Sequence, residues 1–393
     1  MMAAWYAAAG DCSVVLFEKQ KKAGRKILIT GNGRCNITNR HLDPARYHGR
    51  NPMFVNNVFA RFGLSETIDY FSSIGLPLVE ENNGRMYPAS MQASTVVKLL
   101  EYELERKGVD FRLHRRIDSI VPRGSGFELT TAGRESHRFG SVILCAGSCA
   151  WSGAGASRSG YDLARSLGHR VHDPFPAILP LTIPMKSLHR LQGIKWDCAL
   201  KVLNEGRRIA TSSGELLFTG YGISGPAALD ISRAVNESVL RGERPEIIID
   251  FFPGFSEEEL LTYLETVLAD GARETAFSLG SILKERMPEV LLEAGGVDPV
   301  KRAGELSRSD RKAIVTVLKG LHIEPGEPRG FNDAVVAAGG VDVSEIDPAT
   351  MESRIVKNLY ITGELLDIDG DSGGYNLQFA WSTGALAGMA QSG

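Results

Sequence analysis

The sequence lacks a complete G-x-G-x-x-G after a strand, a C-x-x-C pair, a surplus of either charge and any apolar run of membrane-spanning length. Each absence removes a class of protein. The five cysteines (Cys12, Cys35, Cys145, Cys149, Cys198) are odd in number and lack zinc spacing, so neither a disulfide framework nor a metal site is expected. Such thiols fit a reducing, cytoplasmic setting. A net charge of −3 supplies no basic field, so no nucleic-acid partner is expected. No membrane partner is expected either: Met1 to Ala9 is apolar but short, and has no positive n-region of a signal peptide. What is abundant is glycine, 43 of 393 residues, clustered with small and polar residues as in ligand loops. The length favours more than one domain, and 43% hydrophobic with 23% charged residues is an ordinary globular balance.

The densest such cluster is Gly24 to Asn39, GRKILITGNGRCNITN. Read alone, Ile27-Leu28-Ile29 followed by Gly31-x-Gly33 suggests a strand entering a phosphate loop. A helix should then follow Gly33. Instead, Arg34 to Pro52 is polar with no 3.6-residue period, and Asn36 stands where a third glycine belongs. The stretch therefore reads as a second contact loop of a nucleotide site. Upstream, a helix-like Ala-rich start, the apolar run Ser13 to Phe17 and then Glu18 form the second half of a dinucleotide-binding βαβ unit, the acid accepting hydrogen bonds from ribose hydroxyls. The first half, with its strand and glycine loop, is missing. The expectation is that Met1 is an internal methionine of a longer chain or of a truncated one, because loss of a central strand leaves its neighbours unpaired.

Further on, SVILCAG reads as a strand ending at Ala146-Gly147. The GxG at Gly153 and Gly155 is a false lead, since Gly160 comes two positions too late for a phosphate loop. Pro174 to Pro184 is proline-dense and marks a boundary. Residues 174–255 read as β-rich. Residues 256–330 read as helical, opened by Ser256 as an N-cap before an acidic turn. Strand signals return near the end, where NLYIT (358–362) leads into an acidic glycine-rich loop and a helix from about Leu377 to Met389, whose N-terminus offers free N–H groups.

Together, GRKILITGNGRCNIT, GRMYPAS (84–90), LCAGSCAWSGAGASRSGYDLARSLGH, YGISGPAALDIS and LYITGELLDIDGDSGGYNLQFAWSTGALAG resemble flavoproteins of the NAD(P)/FAD-dependent oxidoreductase class. That family includes aminoacetone-oxidase-like and bile-acid-intermediate-reductase-like enzymes. The resemblance spans essentially the whole chain. It implies an α/β fold: a doubly wound, glutathione-reductase-type FAD domain from residues 1–173 and 331–393, with a β-barrel-like domain (174–255) and a small helical domain (256–330) inserted. Carried over, Glu18 would bind ribose beside Lys19. Lys26, Asn32, Gly33, Arg34, Cys35 and Asn36 would follow the pyrophosphate and flavin, and Ile117 or Val121 would flank the adenine. Ala146 and Gly147 would pass close to the cofactor, and Gly363, Glu364 and Asp367 would hold the ribityl chain. Gly374, Tyr375, Asn376 and Leu377 would bring a helix N-terminus to the flavin N1/O2 edge. Gly33 and Asn376 should then face the same flavin.

The expected activity is FAD-dependent hydride transfer between flavin N5 and a small amine or enone-like substrate, with NAD(P)H one option as transient donor. Two rivals are a flavin-dependent RNA-modifying enzyme and a non-catalytic FAD-binding redox sensor. The catalytic group stays open. Arg85, Tyr87 and Tyr221 are weak candidates, Cys35 has no partner cysteine for a dithiol relay, and His169 reads as a helix-end residue rather than a base.

Overall fold

A computed structural model describes residues 1–10 and 12–391, and of Asn82 only the backbone. The chain folds as two units, residues 1–175 with 335–393, and residues 176–334.

In the first unit, Val15–Glu18 runs parallel to Asp110–Leu113, with Glu18 opposite Leu113. Val142–Leu144 runs parallel to Leu359–Ile361. Among the described residues no strand joins the two pairs, so the expected doubly wound sheet is present as two separate parallel ladders. The apolar start of the chain is spent on a helix, Met2–Ala7. It ends there rather than at Gly10, and it lies against the last helix, Tyr375–Met389. A Cβ at Gly388 would come within 2.7 Å of Tyr6 Cβ, so glycine is what lets the two helices approach. Val15–Glu18 is only half-buried along its length, whereas Leu359–Ile361 is fully buried.

The run Arg25–Ile29 is a helix, not the strand its three apolar residues suggest. It starts at Gly24 (φ 69°) and gives way to a tight turn, Thr30–Gly33, where Gly31 and Asn32 are both left-handed at φ 55°. None of its residues is buried, so β-branched propensity has no sheet surface to act on and local packing decides. Thr38–Asn39 pairs with Arg85–Pro88, which also pairs with Leu78–Glu80. Ile117–Arg123, Gly126–Thr131 and Ser136–Phe139 make an antiparallel meander.

The second unit is an antiparallel six-stranded sheet in the order Leu181–Thr182, Gly222–Ser224, Arg207–Thr219, Lys195–Asn204, Glu246–Asp250, Leu321–Ile323. The helices Glu257–Val267, Met287–Ala294 and Arg308–Lys319 precede that last strand, which returns to pair with Glu246–Asp250. Leu200, Phe218 and Ile249 of the sheet and Leu264, Val290 and Leu318 of the helices belong to one buried cluster. Residues 174–255 and 256–330 thus share a core instead of forming two inserted domains. Among the described residues no helix is long and apolar enough to cross a membrane.

Candidate cofactor site

Three loops of the first unit leave the carboxyl ends of parallel strands: at Glu18, at Ala146-Gly147 and at Gly363. Ligands of α/β sheets bind at such ends. Lys26 Nζ donates to Glu364 Oε2, and Ser148 Oγ lies 3.5 Å from Lys26 Nζ and 3.3 Å from the same Glu364 oxygen. Residues 338 apart in sequence are joined by this ion pair. Glu18 Oε1 accepts from the Gln20 N–H at 2.8 Å. Lys19 Nζ donates to Ser157 Oγ at 2.6 Å; burial lowers the Lys19 pKa, and the neighbouring Glu18 charge opposes that. Arg25 reaches Gln20 Oε1 (2.7 Å) and the Gly153 carbonyl (3.2 Å), so the long glycine loop leans on the turn after Glu18. Gly33 (φ 81°) and Gly147 (φ 70°) are the positions where glycine matters most here. A Cβ at Gly147 would meet nothing within 4 Å, and one at Gly33 only the Leu28 carbonyl oxygen at 3.9 Å. Both backbones therefore face open space a ligand can approach.

The helix Tyr375–Met389 starts at Gly374 (φ 103°) with no capping side chain. A Cβ there would lie 2.6 Å from the Thr38 carbonyl oxygen and 3.0 Å from Asn36 Oδ1. Asn36 is buried, and its Oδ1 has no partner among the described residues. Asn376 turns its side chain back on the loop: Nδ2 donates to the Gly370 carbonyl (2.6 Å) and Oδ1 accepts the Gly370 N–H (2.8 Å). Only its main chain remains for a ligand, and the neighbouring Leu377 side chain is half-buried. Tyr375 donates its hydroxyl to the His41 carbonyl at 3.3 Å. Asp367 is buried, which pushes its pKa up, while Arg50 counters from its N–H and guanidinium, each 3.3 Å away.

Other candidates fall elsewhere. Arg34 folds over the Tyr87 ring, 4.5 Å from its centroid, and forks onto Glu81 at 3.0 and 3.2 Å. Tyr87 is 2% exposed, so it packs the turn and does not face a substrate. Cys35 is fully buried and burial raises its pKa to about 12, which keeps it a thiol rather than a redox thiolate. Ile117 and Val121 sit half-buried on the meander. Asn32 is exposed on the tight turn beside Gly33. Tyr221 belongs to the second unit, where Arg329 lies 4.2 Å over its ring. The fully buried His169 ring bridges Glu345 Oε2 and Ser353 Oγ, each at 2.9 Å, and Ser353 Oγ is already taken by the Ile355 and Val356 N–H groups. That trio resembles a hydrolase triad but is sealed from any substrate. Among the described residues no cluster suits a metal ion.

Sequence reasoning missed Asn39, whose Nδ2 donates to the Gly373 carbonyl (3.0 Å) and the Asn83 carbonyl (3.2 Å), and missed Ser148. Both stand inside motifs already singled out, but their partners lie hundreds of residues away or across an irregular turn. An acid at a strand end, open glycine backbones, an uncapped helix start and an orphaned buried amide oxygen together fit an elongated dinucleotide carrying a flavin.

Residues 1–390 match the HI0933-like protein Rossmann domain. The chain is 37% identical over 385 residues to the 3-dehydro-bile acid delta(4,6)-reductase of Clostridium scindens, covering 97% of this chain and 93% of that one. It is 32% identical over 374 residues to the ribosomal RNA dihydrouridine synthase of Escherichia coli, covering 94% and 90%. Among solved structures, a 3-ketosteroid delta1-dehydrogenase from Sterolibacterium denitrificans shares the fold at TM-score 0.54 and 12% identity, covering 100% of this chain and 97% of that one.

Proposed function

The chain belongs to the HI0933-like Rossmann-domain family and is an FAD-dependent oxidoreductase; we propose that it reduces a carbon–carbon double bond conjugated to a carbonyl in a small organic molecule. One observation carries the binding part of this reading: glycine loops at three parallel-strand ends together with the uncapped start of Tyr375–Met389. Bound FAD supplies hydride from N5. Glu18 accepts from the ribose hydroxyls, its second oxygen serving where Oε1 holds the Gln20 N–H. Gly33 and Gly147 let the backbone lie close to the pyrophosphate. Glu364 and Asp367 accept hydroxyl donors of the ribityl chain, Glu364 held in place by Lys26. With FAD bound, the N–H groups after Gly374 would offer partial positive charge to the flavin pyrimidine, which favours its reduced form.

An enone-like substrate is favoured over an amine because the bile-acid relative is named for reducing delta(4,6) unsaturation. A second reading, reduction of uridine in RNA, is favoured by the dihydrouridine synthase relative. The net charge of −3 weighs against it, since phosphate binding draws on basic surface. The test is anaerobic reoxidation of the reduced, FAD-loaded protein, with NAD(P)H tried as reductant. Reoxidation by conjugated enones and not by uridine-containing RNA is expected. The reverse pattern, with salt-dependent RNA binding, would replace the first reading with the second. A protein that takes up no FAD would remove both.

A further inference from the structure

Five arginines of the first unit lie around the Gly373-Gly374 turn and the short sheet beneath it, and four of them are matched to acids. Arg34 has Glu81, Arg40 has Glu80, Arg46 has Asp371 and Arg50 has Asp367. The fifth is Arg85. It is half-buried, and its guanidinium has no acidic or carbonyl partner among the described residues. A solvated surface arginine without a partner is ordinary. Arg85 is half-buried with its guanidinium nitrogens still reached by solvent, so its N–H donors are open to an incoming acceptor.

The main chain of Arg85 is fixed while its head is not. Arg85 pairs with Asn39 in the sheet, and its carbonyl accepts the Glu81 N–H at 2.8 Å. The head faces the glycine turn. A Cβ built on Gly373 (φ 123°) would lie 3.7 Å from Arg85 Nε, 3.5 Å from Asn39 Nδ2 and 3.4 Å from the Tyr375 ring. A side chain at 373 would therefore stand in contact with Arg85 Nε, and glycine leaves the guanidinium uncovered on that side, next to the helix start assigned above to the flavin pyrimidine. The exposed His41 ring sits on the adjacent Gly84, where a Cβ would be 2.6 Å from His41 Cδ2. The nearby acids are already engaged by other arginines, so an anion arriving here meets a cation that nothing else neutralises.

We propose that Arg85 binds the substrate's conjugated oxygen and is the group that selects oxygen-bearing, enolate-forming substrates. The assignment rests on the reduction reading above. In that reaction hydride adds to the β-carbon, the double-bond electron pair moves onto the carbonyl oxygen as an enolate, and a proton from solvent closes the α-carbon. Charge develops on the oxygen, and a fixed guanidinium stabilises it more than it does the neutral ketone.

The probe is 4-nitrophenol, a planar conjugated oxyanion when ionised, titrated into the purified protein and followed by its phenolate absorbance. Wild type is expected to bind it with the phenol's ionisation shifted to lower pH. Arg85→Lys should keep part of that shift. Arg85→Gln should bind at least ~10-fold more weakly and lose the shift, with an unchanged thermal midpoint. Nitrophenolate binding that is unchanged in a folded Arg85→Gln, or absent in wild type, would overturn the proposal, as would a variant that loses flavin affinity but keeps the probe. If the probe depends on Arg85 while no enone reoxidises the flavin, the oxygen site stands and the reduction reading falls. If enone turnover survives Arg85→Gln with unchanged KM, the reduction reading stands and Arg85 falls.

Discussion

Two helices of residues 176–334 and the last helix of the other unit open in opposite ways. In residues 176–334, Ser256 accepts the Glu259 N–H at 3.2 Å while Glu259 returns a carboxylate oxygen to the Ser256 N–H at 2.8 Å. Ser307 and Asp310 repeat the arrangement at 3.1 and 2.8 Å. Those starts satisfy their own N–H groups and carry acids in the first turn. The helix Tyr375–Met389 has neither a capping side chain nor an acid there, and begins on a left-handed glycine. A helix start that closes on itself serves stability. One left open keeps its N–H groups and partial positive charge for an arriving group. Both interiors bury polar side chains: Ser232, Asn236 and Thr275 in the second unit, whose apolar residues form one cluster, and Asn36, Asp367 and Gln378 around the loops of the first.

The strongest way to break this contrast is Gly374→Ala. The new Cβ would sit 2.6 Å from the Thr38 carbonyl on a backbone at φ 103°. Strain of that kind costs ~1–3 kcal/mol, and the close contact adds to it. Urea denaturation should show a loss of about 3 kcal/mol, accompanied by loss of bound FAD. A variant as stable as wild type would show that the turn does not need glycine. Ser307→Ala should cost less, ~1 kcal/mol by the same measurement, and should leave FAD retention untouched. A fall in FAD content with Ser307→Ala would mean that the capped helices are not merely structural.

Much of this contrast was legible in the residues, and what was not has physical causes. The strand ending at Glu18 was readable because an apolar run ending in an acid is a local pattern, and the Ser256 cap because a cap and its acidic turn are adjacent. The helix at Arg25–Ile29 was not, since five residues with three apolar in a row carry no period that separates helix from strand. That Tyr87, a weak candidate, packs the turn was not readable because Arg34, 53 residues away, covers its ring. The continuity of the second unit's core was hidden because its sheet is completed by Leu321–Ile323, after the helices that looked like a separate domain. The two parallel ladders, left without a connecting strand among the described residues, are the point at which the expected doubly wound sheet and the structure part.

The smallest expected effect comes from two carboxyls shifted in opposite directions, one in each unit. The hydrogen bond from Lys301, with those from the Ser307 N–H and hydroxyl, holds Asp310 down to about 2 from its ordinary 3.8. Its folded pKa is below its unfolded one, so its contribution is present above pH 3.8 and is lost as pH falls toward 2. Asp367 goes the other way, because burial raises it and Arg50 only partly compensates. Its folded form holds the proton more tightly, so stability is greatest below the ordinary carboxyl value and declines as pH rises through the raised one. Thermal midpoints from pH 2 to 6 should therefore lose part of their acid fall-off in Asp310→Asn and gain slightly at the upper end in Asp367→Asn. Because Asp310 is half-buried and Asp367 buried, salt should shrink the effect at Asp310 more than the effect at Asp367. Equal salt sensitivity at the two positions would show that the open loop at Asp367 is as solvated as the capped helix end, and the contrast between the units would fail there.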